Sequence, residues 1–273
     1  PLPAPALTSW PRKVQFGHAA RLRARLRHGA ARHVLWLQRR RPGGTWHGIA
    51  HERVGRDLRA RFKLEDLDRT ARYRVRWHDR HSSVADKARR IRVRARVRLR
   101  VRNANVLIGR RVRMSGRVKP RVRGRTAVLH RRVDGRWQAF KRVRVGDGRF
   151  RASIRATRPG RRRVRLSFRG DRVNAPARRS RTVTVYRPEL ATWYGPGFYG
   201  NRTACGTILS TVTLGVAHRH LPCGSKVSFF YRGRSITVAV IDRGPYSGAS
   251  WDLTSATARR IGFWGAGNVG VVR

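Results

Sequence analysis

The chain of 273 residues carries 66 Lys and Arg against 13 Asp and Glu, a formal net charge of +53, while 40% of its residues are hydrophobic. That apolar share excludes disorder as the default, and the length allows two or three domains with cores of their own. No run approaches the ~18 apolar residues of a membrane-spanning helix, so no membrane span is expected.

The charge is uneven. Nine of the basic and three of the acidic residues lie from Glu189 onward, which leaves an excess of +47 before that point and +6 after it. A field of that sign attracts polyanions, although Arg outnumbers Lys roughly tenfold, as GC-rich coding would also produce. Cys205 and Cys223 are too few for a structural zinc site and suit one disulfide, which points to an oxidising, exported setting. The chain opens on Pro1 rather than Met, as expected for a fragment or a form trimmed of an export signal.

In chain order, residues 1–11 are rich in Pro and Ala and read as a linker. Two segments of similar plan follow at an interval of about 91 residues. Leu35-Trp36-Leu37-Gln38-Arg39-Arg40 before Gly44-Thr45-Trp46 matches Val128-Leu129-His130-Arg131-Arg132 before Gly135-Arg136-Trp137. A repeat this long is a duplicated domain rather than a solenoid unit. Arg falls on alternate positions, most clearly from Ile91 to Arg102, which places apolar side chains on one face of a strand and guanidiniums on the other. That run is too long for one strand and divides near Val97. Short alternating strands separated by turn residues predict antiparallel sandwiches over 12–97 and 98–187. Both resemble bacterial immunoglobulin-like spacer domains. The copies offer little chemistry. Their histidines (His18, His28, His33, His47, His51, His78, His81, His130) lack metal-ligand spacing, and Trp36, Trp46, Trp77 and Trp137 read as core or strand-pair aromatics.

From 188 to 273 the composition shifts to Gly, aromatic and small residues. Three motifs stand in order: Ala191-Thr192-Trp193-Tyr194-Gly195 through Asn201-Arg202-Thr203-Ala204-Cys205-Gly206, then Ala217-His218-Arg219-His220-Leu221-Pro222-Cys223-Gly224, then Ile241-Asp242-Arg243-Gly244-Pro245-Tyr246 with Trp251-Asp252-Leu253-Thr254. This segment resembles the rare lipoprotein A (RlpA-like) family. The resemblance implies a six-stranded double-psi β-barrel, making the chain all-β, and a lytic transglycosylase that cuts peptidoglycan with a 1,6-anhydro product.

That chemistry uses the sugar's own 6-hydroxyl as nucleophile, so one carboxyl can serve as both acid and base, whereas the usual hydrolytic routes want two. The segment holds only Glu189, Asp242 and Asp252. Asp242 ends a β-branched strand and is the expected catalytic acid/base, with turn capping as the competing role. Asp252 is expected to start or cap the helix around Ala256–Ile261. Trp193, Tyr194, Phe198, Tyr199, Asn201, His218, Arg243, Tyr246 and Trp251 are the expected glycan contacts, since aromatic faces stack on sugars. No motif asks for a metal or another cofactor. Where catalytic relatives carry a glutamate this chain has Thr207, which leaves open a non-catalytic glycan-binding protein tethered to anionic wall polymers by its basic domains. A third alternative is an adhesive polycation that holds teichoic or nucleic acid, the latter non-specifically. The expected location is secreted or cell-envelope.

Overall fold

The computed structural model describes residues 4–27 and 31–273, so His28 lies outside the described residues. Nearly all regular structure is β, as the period-two pattern requires. In Ala20–Leu26, every Ala and Leu is buried and every Arg exposed, the half-buried strand expected from alternation.

Three separate apolar cores line up along the chain. The first includes Leu7, Leu22, Phe62, Tyr73 and Val93, and is enclosed by a three-stranded sheet (Pro5–Ser9, Ala20–Leu26, Arg59–Leu64) and a six-stranded one. The second includes Leu99, Val112, Leu129, Leu166 and Val183, between a three-stranded sheet (Arg96–Val101, Arg111–Lys119, Arg149–Arg155) and the sheet built on Thr126–Val133 and Gly160–Phe168. The duplication is visible in the pairing. Lys13–Gln15 runs parallel to Arg92–Arg94 in the first copy, and Asn105–Leu107 runs parallel to Thr184–Tyr186 in the second. Arg74 lies 4.2 Å from the Trp46 ring and Arg165 lies 4.1 Å from the Trp137 ring, so these tryptophans sit under guanidiniums on the sheet surface rather than in the core. Trp77, in contrast, is core.

Two boundaries differ from expectation. Pro5–Ser9, expected within a linker, is a strand, because Leu7 is buried and its N–H donates to Asp86 (2.9 Å). The alternating run breaks at Ala95 rather than Val97, since the buried Ala95 already belongs to the second core and its N–H bonds to the Ala175 carbonyl. At 187/188, where the third unit is expected to begin, the chain crosses over within one strand: Ala177–Tyr194 pairs with Gly160–Phe168 at its start and enters the third unit at its end.

That third unit closes on itself. Going round, the end of Ala177–Tyr194 pairs with Trp251–Thr254, which pairs with Val216–Ala217, then Arg234–Asp242, then Lys226–Tyr231, then Gly267–Val272, which returns to Arg187–Ala191. Six strands thus form a closed β-barrel with no free edge. Its interior holds Val216, Phe229, Val240, Trp251 and Leu253. A single short helix, Ser255–Ile261, packs at one end. No helix among the described residues is long and apolar enough to cross a membrane.

Candidate active site

Strand parity alone would bury Asp242. Val238 and Val240 point into the barrel, and Asp242 shares their alternation. The pairing shifts here: Val216 faces Val240, but its neighbour Ala217 faces Asp242, so Ile241 is an extra, bulged residue. A bulge re-aims the side chains beyond it. Ala217 also faces Asp252, and Asp252 faces Thr192. Directly opposed residues share a face, so Thr192, Asp252, Ala217 and Asp242 form one row across four strands on the outer side. The small Ala217 separates two carboxylates whose Cα atoms are about 10 Å apart, two strand spacings.

The surroundings of Ile241 maintain that bulge. A Cβ on Gly215 would collide with the Ile241 side chain, so only glycine lets the two approach. Gly215 is itself pinned, because its N–H donates to Thr254 Oγ1 (3.2 Å) and Thr257 Oγ1 (3.0 Å) at the start of the helix. On the other side, the loop after Tyr194 folds over the strand end, with the Cys205 N–H bonded to the Ile241 carbonyl. The Cys205–Cys223 disulfide (Cα–Cα 5.7 Å) ties that loop to the segment after His218. Closing such a loop stabilises the barrel by ~3 kcal/mol in the chain-entropy model.

Asp242 Oδ1 accepts backbone N–H bonds from Ala204 (2.9 Å) and Arg243 (2.8 Å), which fix the carboxylate's orientation. Oδ2 has no hydrogen bond among the described residues. Asp252 accepts from Thr192 Oγ1 (2.7 Å). Burial, and secondarily the charge of Asp242, raises its carboxyl above the usual carboxylate range, against the Thr192 bond. The Tyr194 hydroxyl is buried without a hydrogen-bond partner among the described residues. Burial, then the charge of the Asp242 carboxylate and hydrogen bonding towards it, and last the charge of Asp252, pushes it well above the ordinary phenol value. Two carboxyl groups and a phenol therefore lie together at this face.

Asp252 is a correction to the sequence expectation. The helix cap is Thr254, which accepts from the Thr257 N–H, and Asp252 sits inside the preceding strand among the site residues. Its neighbours across the sheet, Ala217 directly opposite and Asp242 one strand further, follow from the barrel pairing, which sequence spacing does not reveal.

Several expected glycan contacts fall elsewhere. Trp251 is fully buried in the barrel interior, with its Nε1–H donating to Glu189 (2.7 Å), because it alternates with Asp252 along the strand. The His218 ring lies 4.4 Å from Trp251, on that side rather than beside the carboxylates. Its Nδ1 accepts the N–H groups of His220 (3.1 Å) and Leu221 (3.0 Å), which leaves the neutral ring's proton on Nε2. Burial, then the positive charges of Arg273, His220 and Arg219, lowers its pKa. Arg243 does not pair with the Asp242 carboxylate. Its guanidinium bonds the Leu221 carbonyl (3.0 Å) and braces the 218–223 segment. Trp193 packs partly on the core and meets the exposed Trp264 edge-on at 5.4 Å. Trp264 was not anticipated, since a Phe-Trp pair flanked by Gly262 and Gly265 carries no periodic signal.

The remaining aromatics lie on the loops that follow Tyr194 and Asp242. Phe198 is exposed and meets Tyr194 edge-on at 6.1 Å, Tyr199 is half open with its hydroxyl on Ser255 (2.8 Å), and Tyr246 is the most exposed of them. Asn201 stands exposed on the loop, between Tyr199 and the Thr203–Thr207 turn. Thr207 lies on the turn that supplies the Ala204 N–H, and its own N–H bonds Thr203 Oγ1 (3.1 Å). Among the described residues, no group of three or more His, Cys, Asp or Glu could hold a metal ion.

Residues 189–272 match the family model described as "Lytic transglycolase", so the C-terminal third is RlpA-like and a double-psi barrel domain. A "probable endolytic peptidoglycan transglycosylase RlpA" of Synechocystis is 43% identical over 93 residues, 32% of this chain and 29% of that protein. The "endolytic peptidoglycan transglycosylase RlpA" of Campylobacter jejuni is 36% identical over 85 residues, 30% of this chain and 31% of that protein. The match thus spans about a third of the length of these curated relatives. Among solved structures, a tetra-tandem repeat from the extending region of a large adhesion protein aligns with 99% of this chain and 74% of its own at 13% identity, with a TM-score of 0.36, too low to argue from.

Proposed function

We propose that the RlpA-like domain binds peptidoglycan glycan strands and cuts them by lytic transglycosylation, in a protein of the cell envelope whose basic repeats hold it on anionic wall polymer. The observation that carries this reading is the row Asp252, Ala217, Asp242, with Tyr194 beside it, on the outer face of a barrel whose relatives are named for that reaction. Asp242, fixed through Oδ1 with Oδ2 free, is the group that meets substrate. As acid it gives its proton to the glycosidic oxygen as the C1–O bond breaks. As base it then takes the proton of the 6-hydroxyl as that oxygen closes on C1, so no water is consumed. Asp252, whose carboxyl is raised above the usual carboxylate range, lies on the same row, and the exposed Phe198 and Tyr246 offer faces to sugar rings.

Thr207 favours the second reading, a barrel that binds glycan without cutting it, because the turn over Asp242 supplies a hydroxyl where catalytic relatives carry a carboxyl. Purified sacculi separate the two. Cleavage predicts soluble fragments with 1,6-anhydro ends, lighter by one water than hydrolysed ends, and at least about a hundredfold loss in Asp242→Asn with retained sacculus binding. Retention on sacculi without release by the unmodified protein would establish binding alone. Hydrolysed ends would instead assign Asp252 the activation of water.

A further inference from the structure

The second basic repeat contains a cleft of about 530 Å³ at the mouth of its core, between the end of Thr126–Val133, the segment after Arg149–Arg155 and the strand Gly160–Phe168. Its walls are Arg131, Arg132, Arg155, Arg158 and Arg162, with one carboxylate, Asp134, at the rim. Its floor is aliphatic, including Val112 and Val183. None of the five arginines forms an ion pair among the described residues, and the Arg162 Nε is buried without a partner. Five uncompensated guanidiniums around one space repel each other, and an anion in it relieves that cost.

The first repeat has a cleft that shares one corner with it, the end of the hairpin's first strand. It measures about 450 Å³ and is lined by Arg40, Arg41, Arg72 and Arg90, again at the end of a hairpin's first strand and the strand paired with it. Arg40 occupies the position that Arg132 occupies in the second copy, by the shared Arg-Arg before the Gly-x-Trp turn. Neither cleft is lined by an aromatic side chain, so neither offers a platform for stacked bases.

We propose that these two clefts are binding sites for phosphate groups carried on a non-aromatic chain, a polyol phosphate polymer, with one polymer able to engage both. Guanidiniums match phosphate oxygens in pairs, the aliphatic floor of the larger cleft suits a polyol backbone better than a base, and two arginine-lined sites on one chain gain most from a ligand that itself repeats. This rests on the reading of the repeats as a wall tether and names where the polymer sits.

The test is binding of the full chain to polyglycerol phosphate in about 0.15 M salt, where long-range attraction is screened beyond ~8 Å. The triple variant Arg131→Gln, Arg155→Gln, Arg158→Gln is compared with a control triple on an outer strand face, Arg23→Gln, Arg25→Gln, Arg61→Gln. The cleft triple should bind roughly tenfold or more weakly, the control far less affected, as removal of direct charge-assisted bonds implies. Single-stranded DNA of matched charge should lose affinity equally in both triples. Equal losses for polyglycerol phosphate would overturn the proposal in favour of diffuse charge, and a DNA-specific loss in the cleft triple would make the clefts nucleic-acid sites. Should the cleft triple unfold, Arg41→Gln with Arg90→Gln in the other cleft carries the same expectation. Cleavage of soluble glycan should be untouched by every one of these variants, so failure here leaves the reading of the barrel standing.

Discussion

The basic repeats and the barrel use polar residues in opposite ways. In the repeats, guanidiniums alternate with core residues and project into solvent, and a single buried cluster is the exception: Arg125 bonds Asp171 (2.8 and 3.2 Å), the Pro120 carbonyl (2.7 Å) and Asn174 (2.6 Å). Asn174 in turn donates to the Asp68 carbonyl (2.8 Å), which joins the second repeat to the first. In the barrel, several polar side chains are instead committed to the fold, to a helix cap, a pinned glycine or a braced loop. The difference teaches where to look for function. In the barrel a part-buried pair of carboxylates beside a buried phenol stands out, whereas among dozens of solvated arginines only those that converge on a cavity do.

The largest effect that would break the comparison is at Arg125, which is 3% exposed. Arg125→Ala leaves Asp171 and Asn174 without their partner and should cost ~3–5 kcal/mol, seen as early melting of the repeats in chemical denaturation. The barrel, with its own core and disulfide, should melt at an unchanged denaturant concentration. If both transitions fall together, the two regions are one cooperative unit and the contrast is lost. An intermediate effect is expected at Gly215. Gly215→Ala forces the bulged Ile241 aside and should cost ~1–3 kcal/mol of barrel stability. It should also lower sacculus cleavage more than sacculus binding, because Asp242 is re-aimed while the aromatic contacts remain.

The smallest effect sharpens the site rather than the fold. Asp252 is raised by burial and by Asp242, so it holds its proton more tightly folded than unfolded. The folded state therefore loses stability as pH rises through the unfolded value near 4 towards the raised one, and stays penalised above it. Asp252→Asn carries no such penalty. It should match the unmodified protein at about pH 3 and exceed it at about pH 7, by under ~1 kcal/mol given the partial exposure of the site. A variant less stable at both pH values would show that the carboxylate serves the Thr192 bond more than it suffers from burial.

Much of the fold was legible because alternation survives in short windows. The alternating run from Ile91 to Arg102 predicts two successive strands, and the structure has Arg89–Arg94 and Arg96–Val101 there. The disulfide was legible from count alone. The site was legible only in part. Asp242 could be placed at a strand end, but its face depends on a bulge, and a single extra residue has no signature in the pattern. Trp251 and Asp252 are neighbours in sequence and lie on opposite faces, so a motif that holds both does not say which one meets solvent. Proximity in the motif predicts Trp251 as a contact and Asp252 as a cap, whereas the barrel's pairing buries Trp251 and Thr254 does the capping.

The strand Ala177–Tyr194 begins against the arginine-bearing sheet and ends one residue short of the glycines that frame the site, with Tyr186 stacked on Phe230 (5.1 Å) along the way. No swivel point interrupts it. A polymer that grips the repeats therefore sets the heading of the barrel as well as its distance, in the way that a blade rigidly hafted to its handle is steered by the grip. If the repeats lie flat on the wall, the carboxylates face a fixed set of neighbouring strands rather than whichever glycan happens to drift past.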